Sequence, residues 1–394
     1  MLRRHNISLT LLGVAAGFLL TILSARWFRV DAAEMHRARA RHSRQETGTS
    51  TKLHADRYAY GSAQFTNFVS ESFKLNKAGS PKRFYDWMEQ AYQESNSPYP
   101  GTEGLKFSQA LKVRRTALAA SKDPKAKAEE EIEFAAWTHK LIKLTIPRFS
   151  LDRGFEFSNV VTLGERQCFL QSVLISSILQ DAGMDAGVVM VFQNPKGQYS
   201  NNGHAVCLLK LPDGRDTIVD ASNKDPFPDH KGLFVRTTDY VFVHPVYEPD
   251  SKTIASYMAV AGKPLETSTI KTLDLNFIHS QFWYYRGERV DGGLVVGIRS
   301  NQGIDAAQKA FRTSVHYCPK NPLAVYMLGR TYLAQGDTQT AKETLTRAFH
   351  LYEAFGWVPD GPKQYLALSG AEKKQDGNSE PGLATPGVNN PPEH

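Results

Sequence analysis

Cysteine is scarce in this 394-residue chain: there are three, at positions 168, 207 and 318. So low and odd a count excludes a disulfide framework; at most one pair can form, leaving one thiol over. A charge excess is missing from the body as well. The net charge is +7, but residues 1–57 hold ten Lys/Arg against four Asp/Glu, and the rest of the chain carries only +1. A uniformly basic body would have suggested nucleic acid, and with none here no nucleic-acid partner is expected. Recognisable metal-ligand spacing is also absent. The loop NKDPFPDHKG contains Asp225, Asp229 and His230 but reads as a turn, so neither a metal nor a cofactor is expected. The apolar and charged fractions, 41% and 22%, are those of an ordinary globular protein, and the length predicts two or three domains.

Charge-free apolar runs of membrane-spanning length number one. Ile7 to Ala25 is 19 residues without a charge, enough to cross a bilayer as a helix. A cleaved signal peptide, with Val30-Asp31-Ala32 as the cleavage site, is the competing reading. Arg26, Trp27, Phe28 and Arg29 match interfacial anchors, which favours a retained anchor over residues 1–30. The arginine-rich linker at 31–52 forms a basic collar suited to anionic lipid headgroups. Orientation is contested. Six arginines follow the span and two precede it, which by the positive-inside rule keeps the body cytoplasmic. The short acid-free N-tail is instead that of an exported protein.

Against this background three residues stand out. Cys168 opens the apolar helical run CFLQSVLISSILQDAG, His204 begins the alternating run HAVCLLKL, and Asp220 ends DTIVD. They come in that order, 36 and then 16 residues apart. A thiol needs a base to react near neutral pH, and the base needs a third group to hold its tautomer. A helix N-terminus favours the thiolate further. Cys207 falls on the opposite face of its strand from His204 by period-two alternation, and packing is its expected role. Cys318, in HYCPKNP at a helix end, is also expected to be structural.

This order, each residue on its own element, resembles the transglutaminase-like superfamily of papain-type cysteine enzymes. The likeness runs from about Ala126 to Val243, through the helix AKAEEEIEFAAWTHKLIKLTI, the Cys helix and the phrase AGMDAGVV. It implies an α+β core in which the Cys helix packs on an antiparallel sheet. It also implies Cys168 as nucleophile, His204 as general base and Asp220 as its orienting acid. The oxyanion would be met by the Cys168 backbone N–H and by Gln167. The chain departs from the family where a glycine usually stands two residues before the cysteine. Arg166 is there, and the nearest glycine is Gly164. Val206 replaces an aromatic after the histidine, and Ala221-Ser222 replace Pro or Thr after the aspartate. Anchored bacterial relatives of this kind carry their body on the extracytoplasmic, periplasmic side, which is the side expected here.

The remaining chain is organised around that centre, placed at 123–245. Residues 53–122 read as helical: Phe65, Phe68, Val69 and Phe73 recur at helical spacing, as do Phe84, Trp87, Met88 and Tyr92. Residues 246–300 read as a connecting helical region. From Pro322, Leu328, Gly329, Tyr332, Gly336, Asp337, Ala341, Leu345 and Ala348 fall where the tetratricopeptide repeat has its motif residues. An offset of 34 residues finds Ala307, Phe311, Ser314 and Pro319 in matching places, so one and a half repeats are expected over 301–356. A helix around Asn276–Arg286 would complete the stack. The tail at 371–394 is polar, rich in Pro, Gly and Asn, and expected to be disordered.

The expectation is therefore a membrane-anchored cysteine enzyme carrying out thiol-mediated acyl transfer. Hydrolysis of a peptide or protein substrate is preferred over amine transfer. The repeats would offer a face to a protein partner. The alternative is a catalytically degenerate, membrane-tethered scaffold that acts through its repeats.

Overall fold

The computed structural model describes residues 56–370. The apolar run at 7–25, the basic linker at 31–52 and the tail at 371–394 lie outside the described residues, as do the expectations placed on them. No helix among the described residues is long and apolar enough to cross a membrane.

Residues 53–122 hold three helices among the described residues, the first two where their aromatic spacing places them. They are α1 (Ala63–Leu75), α2 (Lys82–Glu94) and α3 (Phe107–Ala120). Ser62 caps α1, its hydroxyl accepting the Phe65 N–H at 3.2 Å. Phe65, Phe68, Val69 and Phe73 are its buried stripe, and Phe84, Met88 and Tyr92 that of α2. The long helix α4 (Pro124–Thr145) starts at a capping Asp123 with Pro124 in its first turn, where no amide is lost. A short parallel pair, β1 (Arg148–Phe149) and β2 (Glu165–Arg166), flanks α5 (Phe157–Leu163). It leads straight into α6 (Cys168–Asp181).

All but one of the residues of α6 are buried. A helix apolar on every side belongs inside a core. The polar residues it carries are met by backbone: Gln180 Nε2 donates to Ala186 O at 2.7 Å, while its Oε1 accepts the Tyr58 N–H at 2.7 Å. Gly183, at φ +93°, ends the helix and lets the Met184 N–H reach Leu179 O at 3.0 Å.

Seven strands make one antiparallel sheet: β3 (Asp185–Gln193), β4 (Tyr199–Lys210), β5 (Asp216–Val219), β6 (Gly232–Arg236), β7 (Tyr240–Tyr247), β8 (Thr253–Ala259) and β9 (Pro264–Glu266). Their order is β5-β4-β3-β6-β7-β8-β9, and β5 also pairs with β8, Asp216 opposite Ile254. The sheet thus curls until β5 meets β8. Alternation divides its two faces. Val189, Val191, Val206, Leu208, Leu233 and Val243 fill the inner side. Val188, Met190, Phe192, Cys207 and Leu209 belong to the helix-facing core with α6. The stretch 246–300, expected to be helical, instead holds the end of β7 and then β8 and β9 before an α-helix begins at Leu275. Ile254 and Tyr257 are drawn to the inner core and close the curl there.

The C-terminal part is helical: α7 (Leu275–Glu288), α8 (Asn301–Tyr317), α9 (Pro322–Ala334), α10 (Thr338–Ala354) and α11 (Asp360–Gly370). The whole is α+β, with helices following the sheet. These helices lie on the sheet rather than apart from it: the Phe242 N–H of β7 donates to Phe355 O at 3.0 Å.

Candidate functional site

Cys168 is the first residue of α6, so its thiol stands at the helix end whose amides lack intrahelical acceptors. The turn that delivers it is tightly built. Ser150 N–H donates to Arg166 O at 2.9 Å, and a Cβ added to Gly154 would lie 2.3 Å from the Arg166 carbonyl carbon. Only glycine allows that approach. Cys168 is 6% exposed.

Strand β4 presents His204 opposite Val191 of β3, and Asp220 directly follows β5. His204 Nε2 and Asp220 Oδ2 are 2.8 Å apart. With Nε2 engaged, the ring nitrogen left for the thiol is Nδ1, and Cys168 is the histidine's other neighbour. Burial alone would lower the His204 pKa. The Asp220 charge and hydrogen bond outweigh it, Cys168 adds to them, and the pKa stands well above 6.5. Burial would likewise raise Asp220, but the two histidines hold it far below the usual carboxylate range.

The second of those histidines is His230. Its Nε2 is 3.0 Å from the same Asp220 Oδ2, and Ser222 N–H donates to Oδ1 at 2.8 Å. The buried carboxylate thus has three donors, and Nε2–H is the donor from each histidine. Burial lowers the His230 pKa against the pull of Asp220. Sequence reading left His230 in a turn. No spacing rule marks it, because its place depends on how the loop after β5 folds back. Asp225 and Asp229 do not join it: Asp225 accepts the Phe227 N–H, and Asp229 pairs with Lys231.

Arg166 stands where the resembled family has glycine, and its side chain is buried. Its Nε donates to Gln171 Oε1 at 2.9 Å and its Nη1 to Ile146 O. Gln171 Nε2 donates onward to Ser222 Oγ at 2.6 Å. A chain of polar contacts therefore runs from the residue before the cysteine helix's cap to the loop that holds Asp220. From α4, His139 Nε2 and Lys143 Nζ approach Asn223 O at 3.0 and 2.9 Å, pinning the same loop.

The other candidates divide cleanly. Gln167 is buried beside Cys168 with its Oε1 unpartnered among the described residues. Cys207 lies in the helix-facing core, its thiol pushed up to about 12, chiefly by burial. Cys318 caps α8 and lies 3.5 Å from the Tyr240 hydroxyl; burial raises its pKa too. Facing ligand atoms of His204, Asp220 and His230 all lie within 4.8 Å of one another, the donor types a transition metal takes. In this arrangement both histidine nitrogens bond the Asp220 carboxylate.

Beside the site an apolar cleft opens, about 400 Å³ including its mouth. Phe192, Phe242, Phe277, Tyr352 and Trp357 line it, and Gly203, the neighbour of His204, and Gln281 are part of its wall.

Residues 310–343 match the family model of the tetratricopeptide repeat, a stretch that runs from α8 through α9 into α10. Such repeats are commonly protein-interaction modules. No curated protein matches the chain. Among solved structures, the crystal structure of menin, described as revealing the binding site for the Mixed Lineage Leukemia protein, is similar at 12% identity with a TM-score of 0.35. That similarity covers 77% of this chain and 65% of the menin chain, slightly less than two thirds of its length.

Proposed function

We propose that this chain is a transglutaminase-like cysteine enzyme that cleaves amide bonds by acyl transfer through Cys168. The observation that carries the reading is the 2.8 Å contact of His204 Nε2 with a buried Asp220, which leaves Nδ1 for a thiol at a helix N-terminus. Sγ attacks the carbonyl carbon while His204 takes the thiol proton. The amine then leaves with that proton, and a thioester remains. Water activated by His204 releases the acid, regenerating the thiol; an amine in place of water would give cross-linking. Asp220 keeps the imidazole oriented and stabilises its charged form, and the raised His204 pKa supports that role.

The residues 7–25 anchor the protein in a membrane, the basic collar meets anionic headgroups, and the body faces the extracytoplasmic side. The repeat helices hold a protein partner or substrate. These parts rest on sequence alone.

The test is alkylation of Cys168 by iodoacetamide across pH. An activated thiol reacts at about pH 6 far faster than Cys207 or Cys318, and His204→Ala removes that advantage. A Cys168 that titrates like an ordinary thiol, with Cys168→Ala costing about 1 kcal/mol or more of stability, assigns a scaffold instead.

A further inference from the structure

His230 is a buried titratable group that the acyl-transfer scheme leaves unused. It is 3% exposed. Its Nε2 donates to Asp220 Oδ2 at 3.0 Å, the same oxygen that His204 Nε2 reaches at 2.8 Å. Its Nδ1 is buried with no hydrogen-bond partner among the described residues. The backbone holds the ring in place. Tyr247 Oη donates to His230 O at 2.9 Å, and the His230 N–H to Pro228 O at 3.0 Å. A histidine buried for packing alone gains nothing from an unpaired nitrogen. Among the described residues, this side chain spends its one hydrogen bond on the carboxylate that orients His204.

That carboxylate needs the donor. Asp220 is 2% exposed, and burial favours its neutral acid. When the thiol gives up its proton, His204 holds two, and the buried pair then has two arrangements. In one, Asp220 is an anion and His204 a cation protonated at both nitrogens. In the other, the Nε2 proton has crossed to Asp220 Oδ2, both groups are neutral, and only Nδ1–H remains. The first alone places a positive charge beside Cys168, where it holds the thiolate. A donor binds an anion more strongly than a neutral acid, a difference of roughly tenfold in population. His230, like the Ser222 N–H at 2.8 Å, therefore weighs toward the charged pair. Burial lowers its pKa and keeps it neutral at neutral pH, so it donates without adding a charge of its own. Asp229 stands beside it, paired with Lys231, and Tyr247 reaches it from β7. From α4, His139 and Lys143 face Asp220.

We propose that His230 is a positioning residue of this site: its Nε2–H keeps Asp220 ionised, so the positive charge stays on His204 and the Cys168 thiolate survives into acid. The proposal rests on the thiol-enzyme reading above. The proton whose place His230 decides is the one between His204 Nε2 and Asp220 Oδ2; His230 itself neither takes nor gives one.

The test is the pH profile of Cys168 alkylation by iodoacetamide in the full chain, read by peptide mass mapping. His230→Leu and His230→Met remove the donor, and His230→Gln keeps one. The apolar variants are expected to move the midpoint of the profile up by about one pH unit, a roughly tenfold slower reaction on its acid side. His230→Gln should stay close to the wild type. Of the two apolar variants, whichever keeps a cooperative melting transition is read. A general loosening of the site would slow alkylation at every pH and leave the midpoint in place. That result, an unmoved profile or a midpoint moved down overturns the proposal and leaves the activated thiol standing. So does a His230→Gln profile that matches the apolar variants. Ring 15N NMR of histidine-labelled wild type gives an answer that needs no variant. His230 is expected as the neutral Nε2–H form wherever Cys168 is reactive, and a lone proton on Nδ1 overturns the role. A wild-type Cys168 that titrates as an ordinary thiol ends the thiol reading and this role with it.

Discussion

At the scale of single residues, the two histidines on Asp220 differ in what protons do to them. His204 has its pKa raised, so its contribution to stability is present below about pH 6.5 and is lost as pH rises through its folded value. His230 has its pKa lowered by burial, so acid favours the unfolded chain and stability falls as pH drops below about 6.5. Its Nδ1 has no partner among the described residues, while its Nε2 supports the carboxylate. Glutamine keeps a donor in that place and does not titrate. His230→Gln should therefore melt with the wild type at about pH 8 and above it at about pH 5. An equal acid loss in both proteins would show that His230 does not carry this term. His230→Leu removes the donor and should cost about 1–3 kcal/mol at either pH.

At the scale of elements, the repeat shows a helix pair set by one glycine. A Cβ on Gly329 of α9 would lie 2.7 Å from Leu345 Cγ of α10, and 3.2 Å from the Leu345 backbone nitrogen. Gly329→Ala gains about 1 kcal/mol in helix propensity. Overpacking costs about 1–3 kcal/mol and cannot be relieved at the backbone contact. The net expectation is a lower melting temperature. The double change with Leu345→Ala should destabilise by less than the sum of the two, because the cavity accepts the new methyl. Strict additivity would deny the contact.

On the scale of the whole molecule, the repeat helices and the sheet share a core. Phe355 and Tyr352 pack on Phe242 and Phe234 of the sheet, and Ser314 of α8 donates to Ser280 O at 2.6 Å. Asn321 at the start of α9 reaches Gln281. A chain ending at about residue 300 would expose this apolar face and lose the α9 cap that steadies Gln281. It should not melt cooperatively, and limited proteolysis of the full protein should yield no stable fragment ending there. A cooperative transition in the truncated chain would show the repeats to be a separate module.

What could be read from sequence was local. Aromatic spacing marked α1 and α2, the run from Cys168 marked a buried helix, and alternation in HAVCLLKL set Cys207 on the face away from Val206. Periodicity carries these because each depends on neighbours within a few residues. The motif spacing from Leu328 to Ala348 marked the helix pair for the same reason. The closure of β5 on β8, the strands in 253–266, the burial of Arg166 and the arrival of His230 at Asp220 were decided by the tertiary fold. So was the meeting of Tyr285 with Cys168, more than a hundred residues apart in the chain. Contacts over such distances depend on how loops return and how the sheet curls, and no local pattern of side chains records that.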